Sequence, residues 1–181
     1  MIRLTPTTIL SAFLLAGAAI GFPALAQGLT TSALKGLDSN SPIDVDADSI
    51  DVLDQQNQAI FRGHVMVRQN ELSMQANRVT VSYTRSKDNA PEVQRLNADG
   101  QVRLQTPTEN ATARYGIYDV EKRLLTLIGD VVLIQGTTRV QGNRLVINLT
   151  SGRSTLDGST SAGGQTGNRV SGRFAVPDRS Q

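Results

Sequence analysis

The sequence has no cysteine, no tryptophan and a single histidine, His64. Without cysteine there is no disulfide, thiol nucleophile, iron–sulfur cluster or cysteine zinc site, and the lipid-bearing cysteine of a bacterial lipoprotein is excluded too. One histidine leaves no room for a multi-histidine metal centre. Aromatic residues make up 4% of the chain, too few for the stacking platforms that bind single-stranded nucleic acid. The formal charge of +2 over 181 residues requires no polyanionic partner, so no nucleic acid is expected. What is present is 39% hydrophobic and 19% charged residues, enough apolar material for one core and too much for a disordered chain. This inventory leans away from catalysis, and no cofactor is expected.

The first 26 residues differ from the rest. Arg3 is their only charge, an apolar run from Ile9 to Ile20 follows, and Gly21 and Pro23 precede Ala24-Leu25-Ala26. A positive start, an apolar stretch and a small-x-small site form the order of a cleavable secretory signal peptide, here residues 1–26. The rival reading is an uncleaved membrane anchor, for which the run is short against the ~20 residues that span a bilayer. A secreted chain without disulfides must hold together by burial and backbone pairing, which fits the bacterial periplasm.

Residues 27–41 read as a linker. From Pro42 the hydrophobic period is two, with Ile43, Val45 and Ala47 alternating with Asp44, Asp46 and Asp48. Ile50 and Val52 continue with shifted parity, which places a bulge or turn near Ser49. Later runs keep the same period, and no segment after the leader sustains a period of 3.6, so the fold class is all-β. Three stretches share the pattern Gly-x-Val-x-(Val/Leu), beginning at Gly63, Gly100 and Gly129. The first and third extend further: Gln69, Gln75, Asn77 and Arg78 recur as Gln135, Gln141, Asn143 and Arg144. Glycine inside a strand marks a bulge or bend, and repeated bends fold a meander into a two-sheet jelly roll. The roll is expected over residues 42–150, with a Gly/Ser-rich loop or linker over 151–168 and a possible last strand and tail over 169–181.

Pro42 to Asp48, Phe61 to Gln69, Gln75 to Val79 and Leu127 to Val131 together resemble the OstA-like family of periplasmic lipopolysaccharide-transport proteins. The resemblance covers about residues 42 to 149. It implies a half-open antiparallel β-jelly roll whose apolar interior accepts the acyl chains of lipopolysaccharide. It also implies head-to-tail self-association into a bridge, with inner-membrane and outer-membrane lipopolysaccharide transport components as partners. Motif against motif, it assigns Ile43, Val45, Val52, Leu104, Tyr118 and Val120 to the groove, and Phe61, Val65, Val67, Leu127, Val131 and Leu133 to its lining or packing. An inner-membrane-anchored export component of the same fold, with its leader uncleaved, is the alternative; the mass of the mature chain separates the two. A third reading, a hydrolase using Asp99 and Glu109, has nothing in the sequence to pair those carboxylates.

Other candidate sites have plainer readings. Asp44, Asp46, Asp48, Asp51 and Asp54 do not fit a calcium loop, since Ser49 and Gln55 stand where an EF-hand needs glycine and a bidentate glutamate; spaced by two, they share the wet face of a strand. His64 reads as a solvated strand histidine, and Gly163 to Gly167 lacks the lysine of a phosphate loop. Arginine outnumbers lysine 15 to 3. Arg62, Arg68, Arg78, Arg139 and Arg144 are therefore candidates for bidentate phosphate contacts, although codon bias yields the same ratio. The chain is also polarised: residues 35–54 set six aspartates against Lys35, whereas residues 139–173 set five arginines against Asp157.

Overall fold

The structure is a computed structural model that describes residues 41–88, 90–158 and 169–174. The expected signal peptide, nearly all of the 27–41 linker and the Gly163–Gly167 stretch lie outside the described residues. The described residues form ten strands: β1 Asp44–Asp46, β2 Ser49–Leu53, β3 Gln58–Gln69, β4 Leu72–Arg85, β5 Pro91–Gln105, β6 Glu109–Asp119, β7 Leu124–Gln135, β8 Thr138–Asn148, β9 Arg153–Asp157 and β10 Ser171–Arg173. Every pairing is antiparallel, in the order β1-β3-β4-β5-β6-β7-β8-β10. At the edges, β2 also pairs with β3 and β9 with β8.

Each of the six long strands is interrupted midway. The register slips between Arg62 and Val65, Gln75 and Arg78, Asp99 and Val102, Thr112 and Tyr115, and Ile128 and Val131. The sequence devised two complementary ways to make this break. In β3, β5 and β7 a glycine with φ of 78° to 83° (Gly63, Gly100, Gly129) is followed by a second left-handed residue, His64, Gln101 or Asp130. The extra residue keeps the inward parity on both sides, as in Leu96, Ala98, Val102 and Leu104. In β4, β6 and β8 there is no such insertion, and inward parity changes by one: Met74 and Ala76 give way to Val79 and Val81, and Ala111 and Ala113 to Gly116 and Tyr118. Glycine is required at the bend for space as well as for φ, since a Cβ on Gly129 would lie 2.5 Å from the Arg114 Nε.

The breaks line up across the sheet and fold it into two layers. One layer holds β2, β9 and the Gln58–Arg62, Arg95–Asp99 and Leu124–Ile128 portions of the long strands; the other holds β1, β10 and the Val65–Gln69, Val102–Gln105 and Val131–Gln135 portions. The Tyr118 hydroxyl donates to Gln69 Oε1 at 2.8 Å. These residues stand on β6 and β3, three strands apart, at ~4.8 Å per strand too far to touch unless the sheet is doubled over.

The expected break near Ser49 is the same bend at the amino-terminal edge: β1 lies along one half of β3, β2 along the other, and the Asp48 amide donates to the Gly63 carbonyl at 3.0 Å. One boundary is corrected. Residues 153–157, read from composition as part of a loop or linker, form strand β9, in which Ser154 and Leu156 face inward against Ile147 and Leu145. The last strand spans only Ser171–Arg173.

Candidate functional site

Alternation puts one apolar side chain in two on the inner surface of the fold. Leu96, Leu125, Leu127, Leu145, Ile147, Val65, Val79, Val102 and Val131 are the large side chains with essentially no exposure. They belong to a single cluster that runs through β3 to β8.

Of the twelve residues assigned to the groove, the structure places Val65, Val67, Leu104, Tyr118, Leu127, Val131 and Leu133 in this cluster and packs Ile43, Val45, Phe61 and Val120 against it. Val120 lies just past the end of β6, in the turn before β7. Val52 stands apart: it is on β2 and 58% exposed. Its cross-strand neighbour is Ala59, and next to it Ile50 pairs with Phe61, so both Ile50 and Val52 face the interior side at an edge that no described residue covers. At the opposite edge Val170 and Phe174 flank β10 and are also largely exposed. Among the described residues the interior is thus sealed in the middle and bare at both ends.

Two polar residues that the sequence analysis names without placing inside, Gln69 and Glu109, face inward. Gln69 is buried, accepting from Tyr118 and donating its Nε2 to the Ser41 carbonyl at 2.9 Å, which ties the two layers to the segment before β1. Burial raises the Tyr118 hydroxyl above its ordinary pKa, against the opposing influence of Arg123 and the Gln69 bond. Glu109, at the start of β6, is 3% exposed and its Oε1 has no hydrogen-bond partner. Burial alone raises its carboxyl pKa. Parity would have found both, since Gln69 continues Val65 and Val67, and Glu109 precedes Ala111 and Ala113 with the same period.

The outer groups are disposed of by their contacts. Asp46 pairs with Arg68, Asp48 with His64 Nδ1 at 2.8 Å, Asp51 with Arg62 and Asp54 with Arg85 at 3.1 Å. These four aspartates therefore sit on the wet face, each against its own basic side chain, and His64 is a solvated residue of the bend. Among the candidate phosphate-binding arginines, Arg62, Arg68 and Arg144 are in ion pairs, the last with Asp157 at 3.9 Å. Asp99 is outward beside the bend and opposite Tyr115, whereas Glu109 is inward at the far tip of β6. Opposite faces of one sheet do not make a catalytic pair.

These features define an antiparallel β-jelly roll that is not closed, with an apolar interior and two unpartnered ends. The chain matches the family described as "LptA/(LptD N-terminal domain) LPS transport protein" over residues 44–153, and it belongs to that family. It is 31% identical over 146 residues to an uncharacterized protein of Rhizobium meliloti (strain 1021), covering 76% of this chain and 77% of that one. Its fold is that of LptH, the LptA homologous periplasmic component of the lipopolysaccharide transport device of Pseudomonas aeruginosa, with a TM-score of 0.65, 21% identity, and coverage of 77% of this chain and 99% of LptH.

Proposed function

We propose that this protein is a non-enzymatic periplasmic carrier that takes the acyl chains of lipopolysaccharide into the roll and relays them between the membranes by joining copies head to tail. The observation that carries the reading is the continuous inward apolar face, covered through β3 to β8 and left bare at Ile50, Val52 and Phe174. Each CH₂ withdrawn from water is worth ~0.8 kcal/mol, so a ~12-carbon chain crossing the periplasm unaided costs on the order of 10 kcal/mol. A trough of this kind removes that cost while the sugar and phosphate groups stay wet. The residues nearest the open ends, Ile43, Val45, Val52, Phe61 and Val120, meet acyl chains first. Leu104, Tyr118, Val65, Val67, Leu127, Val131 and Leu133 line the interior once the layers part. The leader directs export and is cleaved before Gln27.

The test is to purify the chain from the periplasm of a lipopolysaccharide-producing host with a photoreactive residue at Val52, Phe61 or Val120. Ultraviolet-dependent adducts to lipopolysaccharide are expected at all three, and none at outward Asn143. Absence of adducts at every inward position, or an intact leader in the mass spectrum, would overturn the reading.

A further inference from the structure

Among the described residues, arginine stands directly opposite arginine at two places on the outer surface of the sheet. On β3 and β4, Arg62 faces Arg78; Asp51 bonds Arg62, and Asp99 lies opposite Arg78 on β5, so this pair is balanced. On β8 and β10, Arg139 faces Arg173. The neighbour of Arg139 on its other side is Ile134 of β7, and no described strand lies beyond β10. Neither guanidinium has an acidic partner among the described residues. Like charges directly opposite on adjacent strands repel, and here nothing in the described chain offsets them.

The surroundings of the pair are those of an anion cradle. Val140 is buried inward, so Arg139, Gln141, Ser171 and Arg173 share the outer face, where they border an open cavity of about 400 Å³. With its amide oxygen toward the guanidinium, Gln141 accepts from Arg139 Nε and Nη2 at 3.0 Å each, which fixes the plane of that fork. Opposed strand residues hold their Cβ atoms ~5 Å apart, so the two forks can close on one group. A carboxylate, with two oxygens, is satisfied by a single fork. Two forks and the Ser171 hydroxyl match a phosphate, with its three acceptor oxygens and up to two charges. On the inner side of the same edge the Phe174 ring borders the Cβ direction of Gly172 at 3.0 Å and is 56% exposed. The rim is therefore apolar within and cationic without, one strand apart, and an acylated phosphate meets both parts at once.

We propose that Arg139, Arg173 and Ser171 form a site for a phosphate group at this rim, borne by the headgroup of an acylated ligand whose chain lies against Phe174 or taken up free from solution. Gln141 is its positioning residue. The bound anion relieves the repulsion between the two guanidiniums and ties β10 to β8. The lipid as source rests on the carrier reading, whereas the anion site stands without it.

The test has two arms on the full chain. In the first, inorganic phosphate is titrated by calorimetry at constant ionic strength, with chloride as the exchanged anion. Saturable binding is expected in the wild type. Arg139→Gln and Arg173→Gln should each raise the half-saturating concentration about tenfold. Arg103→Gln, which removes an exposed arginine of β5 and the same charge, should leave it unchanged. In deuterium exchange, phosphate is expected to slow the β10 amides of the wild type and to leave those of Arg173→Gln unmoved, which separates anion binding from a folding defect. In the second arm a photoreactive residue replaces Phe174, and the chain is offered lipopolysaccharide or the same lipid stripped of its phosphate monoesters by hydrofluoric acid. Fewer adducts from the stripped lipid, and an equal drop with intact lipid in Arg173→Gln, assign the phosphate to the headgroup. Equal adducts from both lipids beside saturable binding of inorganic phosphate assign it to the free anion. No saturable binding together with equal adducts, or a loss in Arg103→Gln as large as in Arg173→Gln, overturns the site. Adducts at Val52 are read on the same chains: their absence with phosphate binding intact overturns the carrier reading and keeps the site.

Discussion

The middle of the interior and its two ends are built from the same alternation of side chains yet differ in what covers them. Leu127, in the middle, has no exposed surface, whereas Val52, facing the same side from the edge strand β2, is 58% exposed. The difference arises from position in the sheet: a central strand has neighbours on both sides and an opposite layer above it, and an edge strand has one neighbour. Burial in this protein is therefore a property of the row, and apolar character alone does not report it. The middle carries the stability, and the ends carry unspent apolar surface.

Placing a charge in each region tests this division most severely. Leu127→Asp puts an unpaired carboxylate among residues with no access to water, and a loss of about 4 kcal/mol or outright unfolding is expected in denaturant titration. A cooperative transition at the wild-type midpoint would mean that the middle is wetter than its packing. At the bend, Gly129→Ala forces a side chain onto a residue at φ +83° and into Arg114, and about 1–3 kcal/mol should be lost. Gly136→Ala, at φ +55° in the β7–β8 turn with open space around it, is the control and should cost less.

A smaller effect of opposite sign is expected at Glu109. Because its carboxyl pKa is raised in the folded state, the folded chain binds the proton more readily than the unfolded one between the ordinary value of 4.5 and the raised value. Stability then falls as pH rises through that window. Glu109→Gln should flatten the fall and add about 1 kcal/mol at pH 7, read from thermal transitions between pH 4 and 8. Identical pH profiles for the two chains would show that Glu109 finds a partner in solution. The smallest change in stability, within about 0.5 kcal/mol, is expected for Val52→Asp at the open end, while lipid adducts at neighbouring Phe61 should drop sharply. If Val52→Asp instead unfolds the chain, the ends are not separable from the middle.

Much of this is legible in the sequence. The period of two identified strands, and Gly63, Gly100 and Gly129 marked the bends, because glycine in an apolar run has few other reasons to be there. The second left-handed residue of each bend was not legible, since His64, Gln101 and Asp130 are ordinary strand-surface residues by type. β9 was hidden because Arg-Ser-Thr-Leu-Asp offers one strong apolar residue within a Ser/Gly-rich neighbourhood. Parity identifies the inward side of each strand but cannot tell a covered row from a bare one: Val52 and Val65 both face inward, yet Val52 is 58% exposed and Val65 is fully buried. Gln69 and Glu109 are polar, so residue type hides what their spacing shows, an inward position on the same period as Val67 and Ala111.

Because every long strand bends at mid-length and serves both layers, the width of the roll and its length are governed separately. Width follows from where Gly63, Gly100 and Gly129 fall along their strands, whereas length grows with each further hairpin laid alongside. The internal likeness between the β3–β4 and β7–β8 segments fits growth by copying such hairpins. A gene that duplicates one more would lengthen the roll by two strand spacings, or ~10 Å, with its cross-section unchanged.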